Sequence, residues 1–354
     1  MNKKTLFTAS LITALAIIFV ILIAIAIFGN QPEDTLPNSR GDETSDNSVL
    51  DEKAIERGWV INSLGYSYLY YDRALQQFNG TVYTGQRYAD VLNSFAEKTD
   101  CTRIFSITVP TQAEYLDIPI AVMAEDNFYC NSQKEAVFAS SLAMDKVKNI
   151  DIYDVLYAHK DEYIYFRTDY NWTALGAYYA YREFCKAANL QPVPLENYET
   201  VELDNYLGWF YTATKSQMLL DNADTIVYYR IEKEHPCYIT SYEDGYMTHT
   251  LKYIGTEISA ASGYNVFVGD EKPVYKFETR SKGGTLAIIG DTSAHAFIPF
   301  LLPHYKEITL YNPNMLKGTD DIDIDSDTVL FLSYATNANS SVFCENIERL
   351  YKNE

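Results

Sequence analysis

The sequence predicts an α/β domain behind an N-terminal transmembrane helix. Its mostly parallel sheet has helices on both faces and carries an antiparallel insertion. Three observations support this. Short apolar, β-branched runs alternate with stretches of helical apolar spacing through the body of the chain. A 24-residue apolar run, Thr5–Phe28, follows Lys3 and Lys4. A polar tract separates that run from everything after it.

Residues 1–4 read as a cytoplasmic N-terminus and residues 5–28 as the anchor. As a helix that run spans ~36 Å, enough for a hydrocarbon core of about 30 Å. Lysines before it, with Glu33 and Asp34 after it, place the N-terminus in the cytoplasm and the remaining chain outside. Ala24-Ile25-Ala26 supports a competing reading, a cleaved signal peptide, and both readings export the domain. Residues 29–50, rich in Asn, Asp, Ser, Thr and Pro, read as a disordered linker. Residues 51–354 form the domain.

Within it, Arg103–Pro110 reads as a buried strand, Ser132–Lys146 as a helix and Val147–Tyr153 as the next strand. Thr173–Ala188 reads as a helix with Thr173 at its start. Residues 225–280, Tyr- and Thr-rich and broken by glycines, read as the antiparallel insertion. Gly284–Gly290 is an apolar strand, followed by an amphipathic helix through Leu302. Glu307–Tyr311 and Thr328–Ser333 are further strands, and Ser341–Tyr351 closes as a helix. In such sheets ligands bind at the carboxyl ends of the strands.

The net charge is -20. No basic stripe is present to neutralise phosphates, which excludes nucleic acid as a partner. An acidic surface attracts anionic lipid headgroups little, so the membrane is met through the N-terminal helix alone. Five cysteines, Cys101, Cys130, Cys185, Cys237 and Cys344, show no metal-ligand spacing. Outside the cell they form one or two disulfides, with Cys101 and Cys130 the first pair to test, or they remain buried free thiols.

The segment that bears most on function is Arg167-Thr168-Asp169-Tyr170-Asn171-Trp172-Thr173-Ala174-Leu175-Gly176, taken with Gly290-Asp291-Thr292. With Asp161–Thr168 before it, Asp204-Asn205-Tyr206-Leu207-Gly208 and Phe297–Leu301, the chain resembles the DHHW family from about residue 55 to its end. That family is named after an Asp-His-His-Trp motif and is similar to the SGNH-hydrolase-like proteins of bacterial polysaccharide O-acetylation. The resemblance implies a three-layer SGNH-hydrolase-like, flavodoxin-like fold. It also implies a triad of the motif's Asp, its second His, and the Ser of a Gly-Asp-Ser turn. Asp169 matches the Asp, Asn171 stands for the base and Thr292 for the nucleophile. Trp209 stands where a small Ser is expected, and Asn312-Pro313-Asn314 replaces an expected Asp-Pro-Arg.

Acyl transfer by a hydroxyl needs a base, and a neutral imidazole held by a carboxylate serves near pH 7. The Asn171 amide accepts no proton in that range. In a protease triad, losing the base or nucleophile costs on the order of a millionfold in turnover. Thr292 has restricted χ1 freedom, and threonine nucleophiles rely on their own α-amino group. A helix N-cap is its simpler role. Asp169 and Asn171 likewise have a capping or turn reading.

Ser293 and His295 are the alternative catalytic pair. At an i, i+2 spacing they point apart, so His295 would act with Ser293 or Thr292 only by reaching across the site. His159 and His304 read as exposed element ends, and His235 and His249 as ordinary histidines, with His249 able to fold over the sheet edge. Trp172, Trp209 and Tyr206, with Tyr211, are candidates for a groove where sugar rings stack on aromatic faces, against core packing.

The sequence therefore points to a membrane-anchored, extracytoplasmic, catalytically degenerate member of the family. Its expected partners are a cell-envelope glycan and a membrane-bound acyltransferase, and no cofactor or metal is implied. The alternatives are an active O-acetyltransferase or acetylesterase using Thr292 or Ser293 with His295, and a surface binding protein that reuses the fold.

Overall fold

The computed structural model describes residues 57–62, 65–230, 237–243, 246–252, 260–316 and 324–351. The expected anchor at 5–28, the linker at 29–50 and His235 lie outside the described residues. Among the described residues no helix is long and apolar enough to cross a membrane.

In chain order, strands β1 (Arg57–Asn62), β2 (Gly65–Tyr70) and β3 (Arg73–Leu75) form a small antiparallel sheet. Helix α1 (Val82–Lys98) starts on a reciprocal Thr81–Thr84 capping box. Strand β4 (Ile104–Val109) precedes helices α2 (Ile120–Asp126) and α3 (Gln133–Ala143). The two-residue strand β5 (Lys148–Asn149), then helices α4 (Tyr153–Ala158) and α5 (Ala174–Ala188), come next. Strand β6 (Glu199–Tyr206), helices α6 (Trp209–Thr214) and α7 (Gln217–Asp221), and strand β7 (Asp224–Arg230) follow, with β6 and β7 paired as a separate ribbon. Strands β8 (Cys237–Glu243), β9 (Tyr246–Lys252), β10 (Val274–Glu278) and β11 (Thr285–Gly290) lead to helix α8 (Ser293–Leu301). Strands β12 (Glu307–Tyr311) and β13 (Thr328–Tyr334) and helices α9 (Ala335–Ala338) and α10 (Ser341–Arg349) complete the fold.

The main sheet has the order β5-β4-β13-β11-β12-β10-β8-β9. The first five strands pair in parallel, and β10, β8 and β9 continue the sheet antiparallel. Successive residues of the parallel strands serve two cores. Phe105, Ile107, Leu286, Ile288, Leu330 and Leu332 pack in one cluster with α5 and α8. Ile104, Ala287, Ile289, Val329 and Phe331 pack in the other with α1 and α10. Burial on both faces explains why these strands read as continuous apolar runs rather than alternating ones.

Three expectations change, and the alternative left open for the cysteines resolves. The sheet is mixed rather than mostly parallel, because most of the insertion strands join it instead of folding apart. Only Lys148 and Asn149 of the expected strand Val147–Tyr153 pair, since β5 is an edge with one neighbour, and Tyr153 opens α4. Helix α8 is not amphipathic: every residue from Ser293 to Leu301 is buried, because it lies between the sheet and α5. Cys101 and Cys130 are free thiols, as are Cys185 and Cys344; the Cys130 sulfur accepts a hydrogen bond from Phe78 N.

Candidate active site

The segment joining α4 to α5, residues 159–173, is folded by bonds within itself and by Asp224 of β7. Tyr165 and Trp172 form an antiparallel bridge, and Phe166 N donates to Asn171 O at 3.3 Å, which closes residues 166–171 into a tight turn. Asp224, wholly buried at the start of β7, anchors that turn. It accepts from Arg167 N at 2.9 Å, Thr168 N at 2.7 Å and the Thr168 hydroxyl at 2.6 Å, and from the Tyr163 hydroxyl. The Thr168 hydroxyl oxygen in turn accepts from Gly208 N at 2.9 Å, tying in the start of α6.

This scaffold presents three side chains in series. Asp169 Oδ1 accepts from Asn171 N at 2.9 Å and from Asn171 Nδ2 at 2.7 Å. Asn171 Oδ1 accepts from the Thr292 hydroxyl at 3.1 Å and from the Tyr334 hydroxyl at 3.1 Å. The remaining oxygen, Asp169 Oδ2, accepts from the Tyr206 hydroxyl at 2.6 Å and Trp209 N at 2.9 Å. Burial, followed by the charge of Asp169, pushes the Tyr206 hydroxyl well above its usual range, so it stays a donor. Gly208 is required beside it, because a Cβ there would overlap the Asp169 carboxylate.

The sequence expectation for Thr292 needs correction. It occupies the residue before α8, but its side chain makes no capping bond. Asp291 does that work: its Oδ1 accepts from Ser293 N at 2.9 Å and the Ser293 hydroxyl at 2.6 Å. Its Oδ2 accepts from Tyr334 N at 2.9 Å and Asn337 Nδ2 at 2.7 Å, joining the ends of β11 and β13. Burial raises the Asp291 carboxyl above its usual range, and the bonds from Asn337 and Ser293 oppose that shift. The Asp169–Asn171 pair keeps its turn reading, with Thr173 rather than either residue capping α5.

A cavity of about 250 Å³ opens over this chain, lined by Asp169, Asn171, Thr292 and His295 together with Tyr206 and Trp209. Trp209 is part-buried and meets Tyr170 edge-on at 6.0 Å. Trp172 does not line the cavity. It is wholly buried, donates through Nε1 to Ser293 O at 3.0 Å and stacks over Phe297, so it is a core residue. Tyr211 packs with Phe210 and Leu219 away from the cavity. Ser293 does not line it either, because its hydroxyl is turned inward to Asp291.

His295 is 2% exposed, and burial holds its pKa down to about 4, with Asp270 opposing. Tyr264 and Glu271 also line it and had no signal in the sequence. Tyr264 lies face-parallel to the His295 ring at 6.3 Å. Glu271 Oε2 accepts from Asn312 Nδ2 at 3.1 Å, which gives the residue in the expected Asp-Pro-Arg position a role at the rim. Burial raises the Glu271 carboxyl above its usual range.

The other histidines are elsewhere. His159 stacks on Tyr179 at 3.7 Å and shares Glu162 with it. His304 is half-buried rather than an exposed end, bonded to the Tyr181 hydroxyl at 2.6 Å. His249 stays exposed on β9 beside Thr240. Among the described residues no group of three His, Cys, Asp or Glu is placed to hold a metal ion.

The polarity of the chain is that of a hydrolase triad. The hydroxyl donates to the middle residue, and the middle residue donates to the carboxylate. An amide reproduces both hydrogen bonds of a neutral imidazole but cannot take the proton. The Tyr334 hydroxyl bonds the same amide oxygen and helps fix its orientation.

Sequence and structure comparisons agree on kinship. The family described as DHHW protein matches residues 37–311. A DHHW family protein from Eubacterium siraeum DSM 15702 is 27% identical with a TM-score of 0.69, covering 82% of this chain and 96% of that one. Bacillus cereus PatB1, solved alone and with a sulfonyl adduct, is 16% identical with a TM-score of 0.64, covering 81% of this chain and 99% of its own, a likeness of fold. No curated protein matches.

Proposed function

Because the chain belongs to the DHHW family, we propose that it is a member that has lost acyl-transfer chemistry and retains the site for binding. The resemblance to polysaccharide O-acetylation proteins gives the setting. The domain holds a cell-envelope glycan, or scaffolds an O-acetylation complex with a membrane-bound acyltransferase. The apolar run at 5–28 anchors it, with the domain outside the cell.

The observation that carries this reading is the amide in the base position: Asn171 accepts from Thr292 and donates to Asp169. A site kept for structure alone does not need a solvent-open cavity over that chain, and here one is present. The aromatic rings of Trp209 and Tyr206 suit a sugar face.

One observation favours a second reading. Thr292 and His295 are three residues apart at the start of α8, both line the cavity, and the imidazole is neutral at physiological pH. A Thr292–His295 dyad would then be an acetyltransferase or acetylesterase. Acetyl-ester hydrolysis by wild type and by the Thr292→Ala and His295→Ala variants separates the two. Binding without turnover is the expected result. Wild-type turnover that either substitution abolishes would replace this reading with the second. Neither turnover nor glycan binding would leave a surface protein that reuses the fold.

A further inference from the structure

The charge of the cavity's occupant can be read from its lining, given the glycan-binding reading above. At about 250 Å³ the cavity lies below the roughly 300–1,000 Å³ of drug-sized sites, so it takes one ring-sized group. No Lys or Arg lines it. Three carboxylates stand in or behind it, and their capacities differ. Asp169 and Asp291 each accept four hydrogen bonds from the protein and have none to offer. Glu271, at the rim, accepts one bond at Oε2 from Asn312, and its Oε1 has no partner among the described residues.

One further polar group faces the cavity. The His295 imidazole is 2% exposed and makes no hydrogen bond to the described residues. A neutral imidazole, with one donor and one acceptor nitrogen, suits a ring hydroxyl. A ligand carboxylate would sit beside the exposed Glu271 with no Lys or Arg in the lining to offset the like-charge repulsion. A ligand ammonium would find the free Glu271 oxygen, a charge-assisted bond of the strong kind.

We propose that the cavity selects a sugar bearing a free, protonated amine and excludes uronates, and that Glu271 makes the selection. The test is calorimetric titration of the full-length protein with three oligosaccharides that differ at one group: β-linked glucosamine, its N-acetylated form, and a glucuronate-containing chain. The amine form is expected to bind about tenfold tighter than the N-acetyl form, the increment of one charge-assisted hydrogen bond. The glucuronate chain is expected not to bind. Glu271→Gln should bring the amine and N-acetyl forms to the same affinity. Glucuronate binding as tight as the N-acetyl form would overturn the charge selection, and so would an amine preference surviving in Glu271→Gln, which would mark general attraction to an acidic protein. Binding of none of the three would overturn the glycan reading itself, and this inference with it.

Discussion

The Thr292 hydroxyl donates to the Asn171 amide oxygen at 3.1 Å, and the same amide donates through Nδ2 to Asp169 at 2.7 Å. The order of donors and acceptors matches that of a serine-hydrolase triad, with an amide where such a triad has its proton acceptor. The scaffold around it is intact: Asp224 holds the turn, Gly208 admits the Asp169 carboxylate, and Asp291 locks two strand ends.

A hydroxyl reacts with a sulfonyl fluoride only where a base withdraws its proton. Thr292 should therefore remain unmodified after prolonged incubation, read as an unchanged intact mass. A mass increase mapped to Thr292 by peptide sequencing would show that a base reaches it.

Gly208→Ala should destabilise the domain by about 1–3 kcal/mol, the usual range for forcing atoms into a packed site. The added Cβ would meet the Asp169 carboxylate, whose Oδ2 holds both Tyr206 and Trp209 N. The shift in urea midpoint measures it, and an unchanged midpoint would mean the turn yields freely.

Asp224→Asn removes a buried charge that four donors share. Its amide nitrogen must face at least one of those donors. A loss of roughly 3 kcal/mol is expected, since a bond to a charged group contributes about 1.5–3 kcal/mol. Thermal denaturation of the variant checks this, and a loss under about 1 kcal/mol would contradict the role assigned to Asp224.

Burial places the His295 pKa at about 4 against an ordinary 6.5. Between those values the unfolded chain binds more protons than the folded one. The contribution to stability is therefore complete above pH 6.5 and declines as pH falls towards 4, by roughly 3 kcal/mol in all. Glu271, with its raised pKa, acts in the opposite sense, so the share of His295 is the difference between wild type and His295→Gln. Parallel stability profiles for the two proteins between pH 7 and 4 would contradict burial of a neutral imidazole.

How far the sequence could be read depended on how local each signal was. Strands β4, β11 and β13 were legible because burial on both faces makes them apolar throughout, and α5 because Thr173 caps it. Helix α8 misled because its apolar spacing gives no sign that polar Ser293 and His295 are also buried. Thr292 read as a cap, yet Asp291 one residue earlier has the reach to bond Ser293 N, which frees the threonine to face Asn171. Trp172 fits sugar stacking or the core equally in sequence, and its ring lies against Phe297 under the site. Tyr264, Glu271 and Tyr334 reach the site from distant segments, and no short-range pattern marks them.

Whether this site turns over an acyl ester depends on one functional group, the proton acceptor at residue 171. The most direct measurement is acetyl-ester hydrolysis by the Asn171→His, Thr292→Ser double variant beside wild type, under identical conditions. The account predicts turnover in the double variant and none above background in wild type, because the bonds to Asp169 and the hydroxyl are already in place. Wild-type turnover equal to that of the double variant would contradict it.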